Sequence, residues 1–200
     1  MNLGITQLSP VIGAEINGVD ITKPLDNDAF AAVHQALLDH IILVFRDQPL
    51  DDDALMALGR RFSTLVIHPF IMPNTDRPEI VAIMRDPGDT TIVGEDWHSD
   101  TTHIATPPMG AVLHAIDVPP KGGDTMFSNQ YAAYEALSDG MKKMLAGLNA
   151  VHDDTHVAGP KSGKNNTRAN KVRDGANWRP TSNVHPVVRT HPETGRKCLF

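Results

Sequence analysis

A mainly β architecture of jelly-roll type, with α-helices packed outside the sheets, is what the sequence predicts, on three observations. Short apolar runs recur along the chain; glycine and proline, 15 of each among 200 residues, punctuate them; and only a few stretches hold apolar residues at helical spacing.

The first twenty residues alternate weakly, with Val11, Ile12, Ile16 and Val19 broken by Gly13 and Gly18, and read as a hairpin. From Asp28 to His40, Phe30, Val33 and Leu37 follow a helical stripe, and Asp26 or Asn27 can cap its exposed amides. Ile41 to Phe45 is a β-branched run too short for a helix and ended by Asp47-Gln48-Pro49, so it reads as a buried strand. Asp51, Asp52 and Asp53 then put negative charge where a helix macrodipole favours it, ahead of an inner stripe of Leu55, Leu58 and Phe62. Glu79 to Met84 is predicted as a strand, followed by a polar loop from Asp86 to Asp96. Gly110 to Asp117 and Asp124 to Ser128 are strand-like runs on either side of a Pro119-to-Gly123 turn. Tyr131 to Leu137 and Met141 to Leu148 read as short helices, the second capped by Ser138. Residues 153–182 lose almost all apolar character and carry Lys161, Lys164, Arg168, Lys171, Arg173 and Arg179, which predicts a long loop, either a lid or a mobile connection. Asn183 to Thr190 and Lys197 to Phe200 form a hairpin about Pro192-Glu193-Thr194-Gly195.

At 200 residues the chain suits a single domain with a core of its own, and 21% charged residues is ordinary for a globule. The net charge of -6 argues against a phosphate-backbone partner, so no nucleic acid is expected. One cysteine, Cys198, excludes an intrachain disulfide and a zinc-finger spacing, which favours the reducing cytoplasm. No run is long enough to span a bilayer and the N-terminus lacks signal-peptide character, so no membrane partner is expected; a homo-oligomer is allowed.

Chemistry concentrates at Trp97-His98-Ser99-Asp100. On an extended segment His98 and Asp100 project from one face and supply an imidazole and a carboxylate, two thirds of the facial triad that holds Fe(II) with three positions open. The same residues also read as a capping Asp beside a surface His. His103 has the opposite parity, so hydrogen bonding to the fold is its preferred reading. His68, beside Pro69, is read from the sequence as a loop histidine, and Thr125 as a strand residue after a glycine turn.

The stretch GEDWHSDTTHIATPPMGAVLHAIDVPPKGGDTMFSNQYAAYEALS resembles the Fe(II)/2-oxoglutarate-dependent dioxygenases of the taurine dioxygenase family, which include alkylsulfatase-like and phenoxyalkanoate-degrading members. IGAEINGVDITKPL resembles that family's opening hairpin, ILVFRDQPL its first central strand, and HPVVRTHPETGRKCLF a later strand pair, all in the same order. The resemblance implies a double-stranded β-helix (cupin-like) core, incomplete at the C-terminus. It makes His98 and Asp100 iron ligands and Thr125 a contact to a 2-oxoglutarate carboxylate. His68 becomes the contact to the substrate's anionic group, with Phe70, Ile71, Thr101 and Phe127 around the substrate. In the family pattern His185 and His191 are not ligands; the third ligand is a later histidine, followed by an arginine that clamps 2-oxoglutarate, both beyond the point matching Phe200. The expectation is therefore of one domain whose C-terminal part is missing, with the activity of the 200 residues by themselves in doubt.

The taurine branch carries an aromatic where Ile71 stands, a Trp where Phe127 stands and an Asn where Gly94 stands, which widens the expected substrate from taurine to small anionic sulfonates, alkyl sulfate esters or aryloxyalkanoates. The reaction implied couples oxidative decarboxylation of 2-oxoglutarate to succinate with hydroxylation by dioxygen. Two rivals are a cupin-like Zn-dependent hydrolase or isomerase using the same pair, and a non-catalytic binding module of the same fold.

Overall fold

The computed structural model describes residues 3–69, 71, 76–85, 94, 96–155 and 179–200. The chain divides into two compact units, one of Met1–Ser63, Val112–Leu148 and Pro186–Phe200, the other of Thr64–Ala111 and Asn149–His185.

In the first unit, β1 (Gly4–Gln7) pairs antiparallel with β2 (Ala14–Asn17), Gly4 opposite Asn17 and Gln7 opposite Ala14. The connecting turn is held by Ser9, whose Oγ accepts from the Ile12 amide at 3.0 Å, and by the Leu8 amide donating to the Gly13 carbonyl at 2.9 Å. Gly13 sits there at φ +90°, a conformation that disfavours any residue with a Cβ. The alternation expected of β2 is present: Ala14 and Ile16 are buried.

Helix α1 (Asn27–His40) starts where the Asp26 carboxylate accepts from the Ala29 amide at 2.8 Å, which resolves the choice of cap. Its buried face is Ala29, Val33 and Ala36, one step round from the predicted stripe. Phe30 meets Phe62 edge-on at 4.9 Å. Ile41 is not in a strand. It closes α1 at φ +71°, its amide donating to Leu37, and only Leu43–Val44 forms β3, parallel to β2. Two residues must turn the chain from helix to strand, and Ile41 does so at the centre of a γ-turn, the Ile42 amide donating to the His40 carbonyl at 2.8 Å.

Helix α2 (Asp52–Phe62) is capped by the Asp51 carboxylate, which accepts from the Ala54 amide at 2.8 Å. Ala14, Ile16, Val19, Ile21, Ala36 and Leu58 form the core, flanked by Leu3, Leu25, Leu43, Phe45, Leu50 and Phe62. Burying side chains the size of Leu58 or Ile16 stabilises the fold by roughly 1.5–3 kcal/mol each.

Helices α3 (Gln130–Glu135) and α4 (Asp139–Leu145) start at Asn129 and Ser138, both capping through side-chain oxygens. Later in the chain, β6 (Val188–Thr190) and β7 (Lys197–Leu199) form the predicted hairpin, with Gly195 at φ +68° in its turn. His191 belongs to that turn, its Nδ1 accepting from the amides of Glu193 and Thr194, both at 3.3 Å. β7 packs on α3, where Arg196 lies 4.1 Å over the Tyr131 ring and pairs with Glu135 at 3.2 Å.

The second unit contains β4 (Asn149–Asp153) and nearly all of β5 (Ser182–Pro186), which pair with each other. The predicted strand from Asn183 to Thr190 is thus two strands broken at Val187, and only the second belongs to the hairpin. Three other predicted strands are absent. Residues 79–84, 110–117 and 124–128 are turn or irregular, and Leu113, Ile116 and Met126 are 73%, 90% and 71% exposed. Apolar, β-branched composition fits a pleated surface but does not supply the neighbouring strand, and none pairs with these segments among the described residues. Most of the basic loop, 156–178, lies outside the described residues. No described helix is long and apolar enough to cross a membrane.

Candidate functional site

His98 and Asp100 lie in the second unit on irregular backbone between Asp96 and a turn that opens at Asp100. No strand carries them, so the face-sharing argument from strand parity does not apply. They converge all the same. His98 Nε2 stands 3.2 Å from Asp100 Oδ1, with the imidazole 53% and the carboxylate 75% exposed. A local hydrogen bond orients the ring: His98 Nδ1 lies 2.7 Å from the Asp96 carbonyl, which can only accept, so Nδ1 carries a proton and Nε2 is the nitrogen turned to Asp100, as a donor in the imidazolium or a lone pair in the neutral ring.

In the imidazolium, Nε2 and the carboxylate are an ion pair; in the neutral ring they are two acceptors facing each other, an arrangement a cation satisfies. Two donors about 2.1 Å from one ion, at a right angle, stand about 3 Å apart. The observed separation meets that spacing, and an imidazole whose far nitrogen donates to a backbone carbonyl is the usual outer-shell arrangement at a metal. The pair therefore fits a divalent ion. Among the described residues no group of three or more His, Cys, Asp or Glu side chains converges to complete such a site.

Gly94 sits against this pair at φ +79°, and a Cβ there would lie 3.3 Å from His98 Cε1. His68 is half-buried, and its Nδ1 accepts from the Ile71 amide at 3.1 Å. This bond makes Nε2 the nitrogen that bears the proton in the neutral ring. Phe70 lies outside the described residues. Thr101 adopts φ +49°, and its buried Oγ1 has no hydrogen-bond partner among the described residues. Thr125 and Phe127 belong to the first unit and are exposed, on irregular backbone.

His103 is 7% exposed, unlike the converging pair, and its carbonyl accepts from Asn183 Nδ2 at 2.6 Å. Burial lowers the pKa of its imidazole below the ordinary histidine value, an effect partly opposed by the negative charge of Asp154.

The family model for taurine catabolism dioxygenases, the TauD, TfdA family, matches residues 4–200. The chain belongs to this family. Among its TauD, TfdA relatives, the alkylsulfatase of Acinetobacter baylyi is 31% identical over 99% of this chain and 62% of its own length. The (S)-phenoxypropionate/alpha-ketoglutarate-dioxygenase of Sphingobium herbicidovorans is 31% identical over 98% of this chain and 69% of its own. The crystal structure of a taurine dioxygenase from Burkholderia xenovorans superposes with a TM-score of 0.78 at 31% identity, covering 99% of this chain and 62% of that one. The family's jelly-roll is thus the fold of this chain, which spans less than two thirds of the length of the alkylsulfatase and of that solved structure.

The sequence reading missed the Asp96 carbonyl, which acts through the main chain and leaves no residue-type signal. It also missed β4, whose half-buried positions are Ala150 and His152 while Val151 is 67% exposed. The faint signal was the repeated order of an outward valine followed by an inward histidine, Val151–His152 and Val184–His185.

Proposed function

We propose that this TauD, TfdA family chain binds Fe(II) through His98 and Asp100 and, with 2-oxoglutarate, hydroxylates a small anionic organic substrate of the sulfonate, alkyl sulfate ester or aryloxyalkanoate type. The observation that carries the reading is the 3.2 Å approach of His98 Nε2 to Asp100 Oδ1, with the ring's other nitrogen committed to the Asp96 carbonyl. The relatives support it, since their names span an alkylsulfatase, a phenoxypropionate dioxygenase and a taurine dioxygenase.

Iron held by His98 and Asp100 would supply the redox chemistry that couples conversion of 2-oxoglutarate to succinate and carbon dioxide, taking one atom of dioxygen, to insertion of the other atom into a substrate C–H bond. The protein's part is orientation. Asp96 holds the imidazole in the tautomer that binds a cation, and Asp100 contributes the negative charge that favours a divalent ion. Thr125 offers its hydroxyl to a 2-oxoglutarate carboxylate. His68 offers an N–H to the substrate's anionic group, because its Nδ1 is already used as an acceptor by Ile71. Thr101, Phe70, Ile71 and Phe127 complete the substrate contacts, and the buried Thr101 hydroxyl has no hydrogen-bond partner among the described residues. The cytoplasm is the compartment that suits a chain with one cysteine.

The test is succinate release by the purified protein, with iron or zinc and with or without dioxygen, across one substrate of each class. Iron- and oxygen-dependent succinate that rises with one class and vanishes in His98→Ala supports the reading. Zinc-supported turnover without oxygen overturns it.

A further inference from the structure

A segment that carries two ligands on irregular backbone needs something else to hold it. Asp100 opens a turn in which Thr101 is left-handed and the Ile104 amide donates to the Thr101 carbonyl at 3.2 Å. That turn is gripped at three consecutive residues. His152 Nδ1 of β4 lies 2.9 Å from Thr102 Oγ1, Asn183 Nδ2 of β5 donates to the His103 carbonyl at 2.6 Å, and His185 Nε2–H of β5 donates to the Ile104 carbonyl at 3.1 Å. Asn183 and His185 are two apart on a strand and share a face, and the His152 and His185 rings meet edge to face at 5.3 Å.

The β4–β5 pair is inverted relative to an ordinary half-buried sheet. Its inward positions include His152, Asn183 and His185, whereas Val151 and Val184 are 67% and 62% exposed. The side chains on the face turned to the 102–104 turn are thus mostly polar. The polar residues match the backbone carbonyls and the hydroxyl of one turn, so what they specify is where that turn sits. Since Thr102 follows Asp100 by two residues, the same bonds set where the Asp100 carboxylate stands relative to His98.

We infer that His152, Asn183 and His185 are positioning residues for the His98–Asp100 pair, holding the 102–104 turn so that both donors address one divalent cation. The inference rests on the proposed metal role of that pair. Its test is Co(II) titrated into the full chain without iron, followed by the visible d–d absorption of the bound ion, alongside metal-free thermal melts. The variants are His185→Leu, His185→Gln, whose amide N–H can reach where the imidazole Nε2–H was, and Asn183→Ala. Removing such an outer-shell bond is expected to weaken Co(II) binding about tenfold or more in His185→Leu and Asn183→Ala. His185→Gln is expected to restore binding to about the parent level, a rescue that loss of packing by itself does not predict. Should His185→Leu fail to fold, Asn183→Ala and His185→Gln carry the comparison. Parent-like affinity in folded Asn183→Ala, or His185→Gln binding at least tenfold more weakly than the parent, overturns the inference while leaving the metal pair standing. A parent chain that binds no Co(II) overturns both.

Discussion

Replacing Gly94 with alanine probes the candidate site through a single methyl group. The residue is at φ +79°, where an L-residue costs roughly 1–2 kcal/mol relative to glycine. The added Cβ would also stand 3.3 Å from His98 Cε1, tighter than an ordinary van der Waals contact, so the ring must give way. The ring is not free to do so without cost. Its Nδ1 is held 2.7 Å from the Asp96 carbonyl, and loosening that bond gives up about 0.5–1.5 kcal/mol. Gly94→Ala is therefore expected to destabilise the protein by about 2 kcal/mol, a fall of roughly 4–8 °C in melting temperature for a chain of this size. It should also weaken Co(II) binding several-fold, because the imidazole loses its aim. Gly94→Asn separates the two effects: asparagine tolerates the left-handed region, so less of the stability is lost, while its Cβ crowds His98 equally. Calorimetry and Co(II) titration of both variants make the measurement. If Gly94→Ala melts and binds like the parent, the account of how His98 is aimed is wrong.

Two further outcomes follow from local geometry. Asp26→Ala removes the acceptor for the Ala29 amide at the start of α1 and should cost about 1 kcal/mol in a urea melt, with Asp26→Asn recovering most of it. His103 is buried with its pKa below the ordinary histidine value of 6.5, so between its folded pKa and 6.5 the unfolded chain binds the proton and the native one does not. Its contribution to stability is complete above that window and is lost as pH falls through it. Asp154→Asn removes the charge that favours protonated His103, and should lower the folded pKa further and extend the acid-side loss of stability, read from melts between pH 4 and 8, a range of about four units around the histidine value.

Much of the fold's first unit could be read from residue order, because its determinants are local. A side-chain oxygen just ahead of a helical stripe caps it by accepting from the amide three residues on, as Asp26, Asp51 and Ser138 do, and a glycine that must take positive φ marks a turn, as Gly13 and Gly195 do. The strands were harder. Residues 110–117 have the composition of a strand without a ladder, and β4 has a ladder without the composition. The candidate site divides in the same way. His98 and Asp100 were conspicuous because their spacing and neighbours resemble a family motif, yet they come together through the Asp96 carbonyl and a turn, not through the shared strand face that their spacing implied.

The amino-acid order by itself thus determined the capped helices, the two hairpin turns, the family and the imidazole–carboxylate pair, since each depends on residues within a few positions of one another. Only tertiary structure decided that His103 is buried beside Asp154, that Ile41 closes a helix, and that the polar face of β4 and β5 grips the turn after Asp100. These depend on partners 50 to 81 residues away in the case of that turn, and a strand's inward face is defined by what lies across from it, which no local pattern records.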